Sequence, residues 1–187
     1  MVESKVIHEI TQLTGKDVLY IAERRKKEFT YPIHNHQVFE LNFVEHAPGV
    51  RRIVGDSNEV IGDYDLVLIT GPDLEHVWEQ NTCVSEDIHE ITVHFDLDFS
   101  DDSLLGRNPF RTLKKMMYEA QKGLCFSMDA IMKVYPMLCT LSTIKDGFYA
   151  FQQFLSILYE LSLCPGARAL ATSSYAKVEV ASDSRRV

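Results

Sequence analysis

The segment Pro32-Ile33-His34-Asn35-His36-Gln37-Val38-Phe39-Glu40 gathers the groups in this 187-residue chain best placed to do chemistry. Imidazole nitrogens and carboxylate oxygens can hold a metal ion or hydrogen-bond a small polar molecule. Side chains alternate along a strand with a period of two. His34, His36 and Glu40 therefore share one face with Val38, Asn42 and Val44, while Ile33, Phe39, Leu41 and Phe43 take the other. Both faces are partly apolar, so one should line an interior and the other should meet helices. A second segment, Gly62 to His76, reads as a turn, a buried strand, another turn and the start of a strand at His76. The same alternation puts Trp78 on the face of His76. There its ring could floor a site for a sugar or an aromatic molecule, or fill the core. His94 lies with Glu90 and Thr92 on the polar side of a later strand and is a candidate for the pocket or for solvent. His8, His46 and His89 sit in polar or turn contexts and are expected at the surface.

The elements that must position these groups change character near residue 100. Before it, the stretches 18–21, 38–44, 50–54, 66–69 and 88–99 are rich in β-branched and aromatic residues. Ala47-Pro48-Gly49, Gly55-Asp56-Ser57-Asn58, Gly62-Asp63 and Gly71-Pro72-Asp73 punctuate them. Short strands at this spacing predict a small antiparallel barrel or sandwich. After it, Pro109 fits a first helical turn, with Leu113, Met116, Met117 and Ala120 at helical spacing. Ser127 is a good N-cap for a helix to about Ser142. A third helix opens at Asp146, repeats Phe148, Phe151, Phe154, Leu155, Leu158 and Leu161, and ends at Pro165-Gly166. Strands first and helices after give an α+β fold. The stripe Phe148, Phe151, Leu155 and Leu158 can pack on the strands or across a two-fold axis to a second copy. Val6, Ile7, Ile10 and Leu13 fall on one helical stripe, so residues 1–17 read as an arm. Residues 165–187 read as a linker whose tail, from Ser182, resembles the start of a further element.

The formal charge is −8, with a pI of about 5.3, and an acidic surface repels phosphate. This chain by itself is not expected to hold nucleic acid. Its densest basic run, Arg24-Arg25-Lys26-Lys27, is flanked by Glu23 and Glu28 and reads as a solvated turn. Cys83, Cys125, Cys139 and Cys164 form no C-x-x-C pair and are expected as reduced thiols, the last three in apolar helical stretches. No secretory signal or membrane-spanning run is readable, which suits a cytoplasmic protein.

The pattern H-x-H-x3-E at His34, His36 and Glu40, then Gly62-Asp63-Tyr64-Asp65-Leu66-Val67-Leu68-Ile69 and a later His76, resembles the two cupin motifs. Gly49 comes late after Glu40, and Gly71-Pro72-Asp73-Leu74-Glu75-His76 departs from the order common in metal cupins. With Ile91-Thr92-Val93-His94-Phe95 and the helices that follow, the order is similar to the sensing domains of AraC/XylS-type transcription regulators. The resemblance covers about residues 18–164. It implies a cupin barrel (double-stranded β-helix) over residues 18–100, a helical dimerisation segment over 101–164, and a linker toward a DNA-binding helix-turn-helix domain outside this chain. It also implies a bound small-molecule effector, such as a sugar, held by His34, His36, Glu40, Asn42, His76, Trp78 and His94, in a homodimer that is not an enzyme. Carried over residue by residue, the cupin metal quartet is His34, His36, Glu40 and His76. Three imidazoles and a carboxylate suit zinc, iron, manganese or nickel. Without an ion, the same groups would hydrogen-bond one another or the effector. Two other readings follow: a metal-dependent cupin enzyme such as a dioxygenase or isomerase, and a pairing domain with no ligand.

Overall fold

The computed structural model describes residues 6–177. Two sheets and a layer of helices make up an α+β architecture. The smaller sheet has the order β1-β3-β8-β5-β6, formed by Ile7–His8, His34–Asn35, His76–Glu79, Arg51–Val54 and Ser57–Val60. The larger has the order β11-β10-β7-β4-β9-β2, formed by Arg168–Ala169, Leu124–Cys125, Tyr64–Ile69, Phe39–Glu45, Ile88–Phe95 and Leu19–Lys26. All its pairings are antiparallel, whereas β1 joins β3 in parallel. Hydrogen bonding does not close the two sheets into a barrel. The expected strand-rich half is therefore present as two facing sheets.

Strand alternation then divides the core. From β4, Leu41 and Phe43 join Leu66, Leu68, Ile91, Val93 and Phe95 in a cluster that meets the helices. Val44, Val67, Ile69 and Ile88 face the other way, onto Val54, Leu74 and Trp78 of the smaller-sheet side. The two-sided burial expected of β4 follows from this middle position. The helices α1 (Arg111–Glu119), α2 (Met128–Leu141) and α3 (Gly147–Leu163) cover the larger sheet. Their starts follow local chemistry. Ser127 Oγ accepts from the Ala130 amide at 3.3 Å, and Asp146 Oδ1 from the Phe148 and Tyr149 amides at 2.9 and 3.1 Å. The stripe of α3 splits: Leu158 is buried, Phe151 and Leu155 partly so, and Phe148 faces solvent.

Three expectations are corrected here. The arm is not helical where Ile7–His8 pairs with His34–Asn35, and Ile10 is exposed. An open sheet edge at β3 offers this segment hydrogen bonds that a marginal short helix would have to supply alone. Arg24, Arg25 and Lys26 lie on β2, where pairing with Glu90, His89 and Ile88 extends the strand through the basic run. Part of the expected linker is packed: β11 pairs with β10, Ala171 is buried, and Thr172 N donates to Asp56 Oδ1 at 2.9 Å. Gly55 permits this approach, since a Cβ there would stand 2.9 Å from the Cβ atoms of Ala171 and Ala176. The tail from Ser182 lies outside the described residues. All four cysteines are free, and Cys125 sits on β10 rather than in a helix. No helix among the described residues is long and apolar enough to cross a membrane.

Candidate functional site

The two sheets bring His34, His36, Glu40 and His76 together. His34 and His76 are paired residues on β3 and β8, His36 follows in the same chain segment, and Glu40 points from β4 across the gap. All four side chains are buried. Each of the three imidazoles is fixed by its own local backbone. Nδ1 of His34 lies 2.9 Å from the Pro32 carbonyl, Nδ1 of His36 2.9 Å from that of Val38, and Nδ1 of His76 2.8 Å from that of Leu74. A carbonyl only accepts, so each Nδ1 carries a proton; His76 then turns an Nε2 lone pair inward when neutral, whereas His36 donates from Nε2 to the Glu40 carboxylate as well and is the charged ring of the pair. Backbone carbonyls commonly orient metal-ligating histidines in this way.

The Nε2 atoms meet Glu40 unequally. Glu40 Oε2 lies 2.9 Å from His36 Nε2 and 2.9 Å from His94 Nε2, but 3.9 Å from His76 Nε2. The last distance is beyond hydrogen-bond reach. His76 Nε2 is accordingly a buried polar atom with no hydrogen-bond partner. Burial opposes the charge of Glu40, yet the bonds from the imidazoles hold its carboxyl well below the usual range. Burial also opposes charge on His36, but Glu40 outweighs it and raises that ring's pKa. His34 has less help: burial, with His76 beside it, pushes its pKa down to about 3. One donor atom from each of the four residues lies within 4.8 Å of the others. Donors sharing an ion at about 2.1 Å stand about 3–4 Å apart, so small side-chain shifts would complete such a set. The donor types, the fixed tautomers and the unpartnered His76 nitrogen all fit a divalent transition metal.

A cavity of about 280 Å³ opens onto this cluster. His34, Glu40 and His94 line it together with Asn42, Thr92 and Glu90. Thr92 Oγ1 donates to Asn42 Oδ1 at 2.8 Å, and Lys26 Nζ to Glu90 Oε2 at 2.7 Å. No family model and no curated protein matches this chain. The site is a partly enclosed cavity of small-molecule size, with many polar side chains among its lining, that adjoins a His/Glu cluster able to hold an ion.

The seven candidate ligand residues His34, His36, Glu40, Asn42, His76, Trp78 and His94 all lie at or beside this cavity. Asn42, His94 and Trp78 line the cavity with His34 and Glu40, while His36 and His76 lie behind them. His94 bonds to Glu40 instead of facing water. Trp78 is buried, and its Nε1 donates to Asp65 Oδ2 at 3.0 Å, so its polar edge is already engaged. The sequence reading missed Glu9, whose Oε2 lies 3.6 Å from His34 Nε2. Its position depends on the β1–β3 pairing, which the helical stripe concealed. It also missed Arg24 and Lys26, which line the cavity because β2 continues through them. The period-two alternation with Ala22 was the available signal. His8 and His46 are exposed as expected, but His89 is buried. Its ring lies on the helix-facing side of β9, covered by a layer that local sequence does not reveal.

Proposed function

We propose that this chain is the effector-sensing domain of an AraC-type transcription regulator that binds a small polar molecule between its two sheets. In this reading His34, His36, Glu40 and His76 hold a divalent transition metal at the inner end of the cavity. The observation that carries it is the convergence of oriented imidazoles on Glu40, with one buried nitrogen lacking a partner, beside a cavity of ligand size. The strand arrangement is taken as cupin-like, and the motif order supports the regulator family.

A bound metal would supply a Lewis-acidic centre for an oxygen or nitrogen atom of the effector. The rest of the recognition falls to the protein. Asn42, Thr92 and Glu90 already form a hydrogen-bonded wall, and Arg24 and Lys26 place cationic donors beside Glu90. An acidic chain suits contact with DNA only through a helix-turn-helix domain beyond it. Exposed Phe148 and Tyr149 at the start of α3 suit a homodimer contact, and a cytoplasmic location suits such a regulator.

The test is metal content and metal binding of protein purified without an affinity tag. About one equivalent of zinc, iron, manganese or nickel is expected, or uptake on titration with a rise in thermal stability. At a thousandfold excess over Kd the rise corresponds to about 4 kcal/mol. Glu40→Ala and His76→Ala should each weaken uptake at least about tenfold. Less than about a tenth of an equivalent, with no uptake on titration, removes the metal. The unpartnered nitrogen of His76 also favours a metal-dependent enzyme. Turnover of a small substrate that requires added iron or manganese would establish that reading in place of the sensor.

A further inference from the structure

We propose that a chain of polar side chains, Trp78–Asp65–Arg52–Glu59–Arg168, buried at its Trp78 end and exposed at Arg168, couples the cavity to residues 168–177, so that occupancy of the cavity changes how firmly this segment is held. The claim about occupancy rests on the cavity being an effector site; the coupling itself does not.

At one end, Trp78 lines the cavity and meets the His76 ring edge-on, with centroids 6.2 Å apart. Its Nε1 donates to Asp65 Oδ2 at 3.0 Å. The other oxygen, Asp65 Oδ1, accepts from Arg52 Nη1, and Arg52 Nη2 donates to Glu59 Oε2 at 2.8 Å. Glu59 accepts from both terminal nitrogens of Arg168, with Nη1 to Oε1 at 2.8 Å. Five side chains thus run from the cavity wall to β11. Each step is a direct bond between side chains.

The interior of this chain cannot be loosened independently. Trp78, Asp65 and Arg52 are buried, so water cannot readily replace a lost partner. Arg52 serves two carboxylates with its two terminal nitrogens, while its Nε has no partner. A movement of Trp78 that withdraws its N–H leaves Asp65 with Arg52 and the weaker Cys125 thiol contact at 3.9 Å, so Arg52 becomes its main partner. Turning the guanidinium toward Asp65 then weakens its hold on Glu59, which anchors Arg168. Other ties reach the segment from the same sheet. Thr172 bonds to Asp56 in the β5–β6 turn, and Lys177 Nζ lies 3.0 Å from Glu75 Oε1, next to His76. Elsewhere the segment is pinned by Leu170 N to the Gly123 carbonyl at 2.8 Å and Ala171 N to that of Lys122 at 2.9 Å. Those two amides report how firmly it is held.

The coupling is tested in both directions without any ligand. Trp78→Phe keeps a ring but deletes the N–H, and should speed hydrogen exchange of the Leu170 and Ala171 amides about tenfold. In reverse, Arg168→Met at the exposed end should shift the emission or the acrylamide quenching of Trp78, the chain's single tryptophan. Thr172→Ala loosens the segment outside the chain of side chains and should leave Trp78 emission as in the parent. Exchange within twofold of the parent in a folded Trp78→Phe protein overturns the coupling. Unchanged Trp78 emission in Arg168→Met overturns it as well, and this arm stands even if Trp78→Phe does not fold. Zinc then separates the two claims. No zinc bound, with both couplings present, removes zinc as the ion and supports the chain as a link that works without it. Bound zinc that leaves exchange at Leu170 and Ala171 unaltered overturns the effect of occupancy.

Discussion

Two buried histidine–carboxylate groups lie on opposite faces of the larger sheet, and they differ in how completely their nitrogens are used. On the cavity side, three imidazoles spend Nδ1 on backbone carbonyls and turn Nε2 toward Glu40, where His76 finds no hydrogen-bond partner. On the helix side, His89 spends both nitrogens on carboxylates: Nδ1 on Glu45 and Nε2 on Glu23, each at 2.6 Å. Tyr135 of α2 donates to the second oxygen of Glu45 at 2.9 Å, and Ser142 at the end of α2 donates to Glu23. The second group is closed. It ties β2, β4 and β9 to the helical layer and has no lone pair aimed at a space. The same residue types make a fastening where every donor meets an acceptor, and a binding site where the partners are incomplete.

Truncation should separate the two most strongly. His89→Ala strands the buried Glu45 carboxylate and should cost about 3–5 kcal/mol in urea unfolding. His76→Ala loses packing and one backbone bond, about 1 kcal/mol in metal-free protein. Metal uptake should reverse the order: lost in His76→Ala, and retained in His89→Ala under conditions where that variant is folded. Equal destabilisation by both changes would erase the distinction.

Acid provides a second separation. His34 stays neutral in the fold down to about pH 3, while an unfolded histidine takes up a proton near pH 6.5. The folded pKa is the lower one, so the unfolded state binds the extra proton and stability falls as pH drops from 6.5 toward 3. The slope is at most about 1.4 kcal/mol per pH unit. In metal-free protein, the stability difference between the parent and His34→Asn should show this slope between pH 6.5 and 5. Across the sheet, Ser142 and His89 hold Glu23 below its usual range, against burial. That contribution is present above the ordinary carboxylate pKa and disappears only as pH falls through the lowered value. A flat difference for His34→Asn over that window would contradict its buried, neutral state.

The smallest effect is expected at Tyr135→Phe, which removes one bond to Glu45 and should cost about 1 kcal/mol while leaving metal uptake intact. A loss of metal uptake in this variant would mean that the two faces of the sheet are not energetically separate.

Much of this arrangement is local enough to read along the chain. Alternation placed His34, His36, Glu40 and Asn42 on one face of their segment, and Leu41 and Phe43 on the other. Ser127 and Asp146 marked helix starts because capping is a contact over two or three residues. The β-branched runs and turn residues located most of the longer strands. The short strands β1, β10 and β11 left no periodic signal, since two residues define no period. Their pairing partners lie elsewhere in the chain, and with them went Glu9 and the packed segment after α3. For the basic stretch of β2, composition suggested a turn, whereas eight consecutive cross-strand pairs with β9 decide the structure.

By itself, then, the order of residues determined which side chains share a face, where helices begin, and which groups are chemically able to meet. Tertiary structure alone decided that two sheets face each other without closing, that His76 ends 3.9 Å from Glu40, and that His89 is sealed under α2. The physical reason is range. Alternation and capping act over a few residues, whereas burial and the satisfaction of a buried polar atom depend on segments tens of residues away.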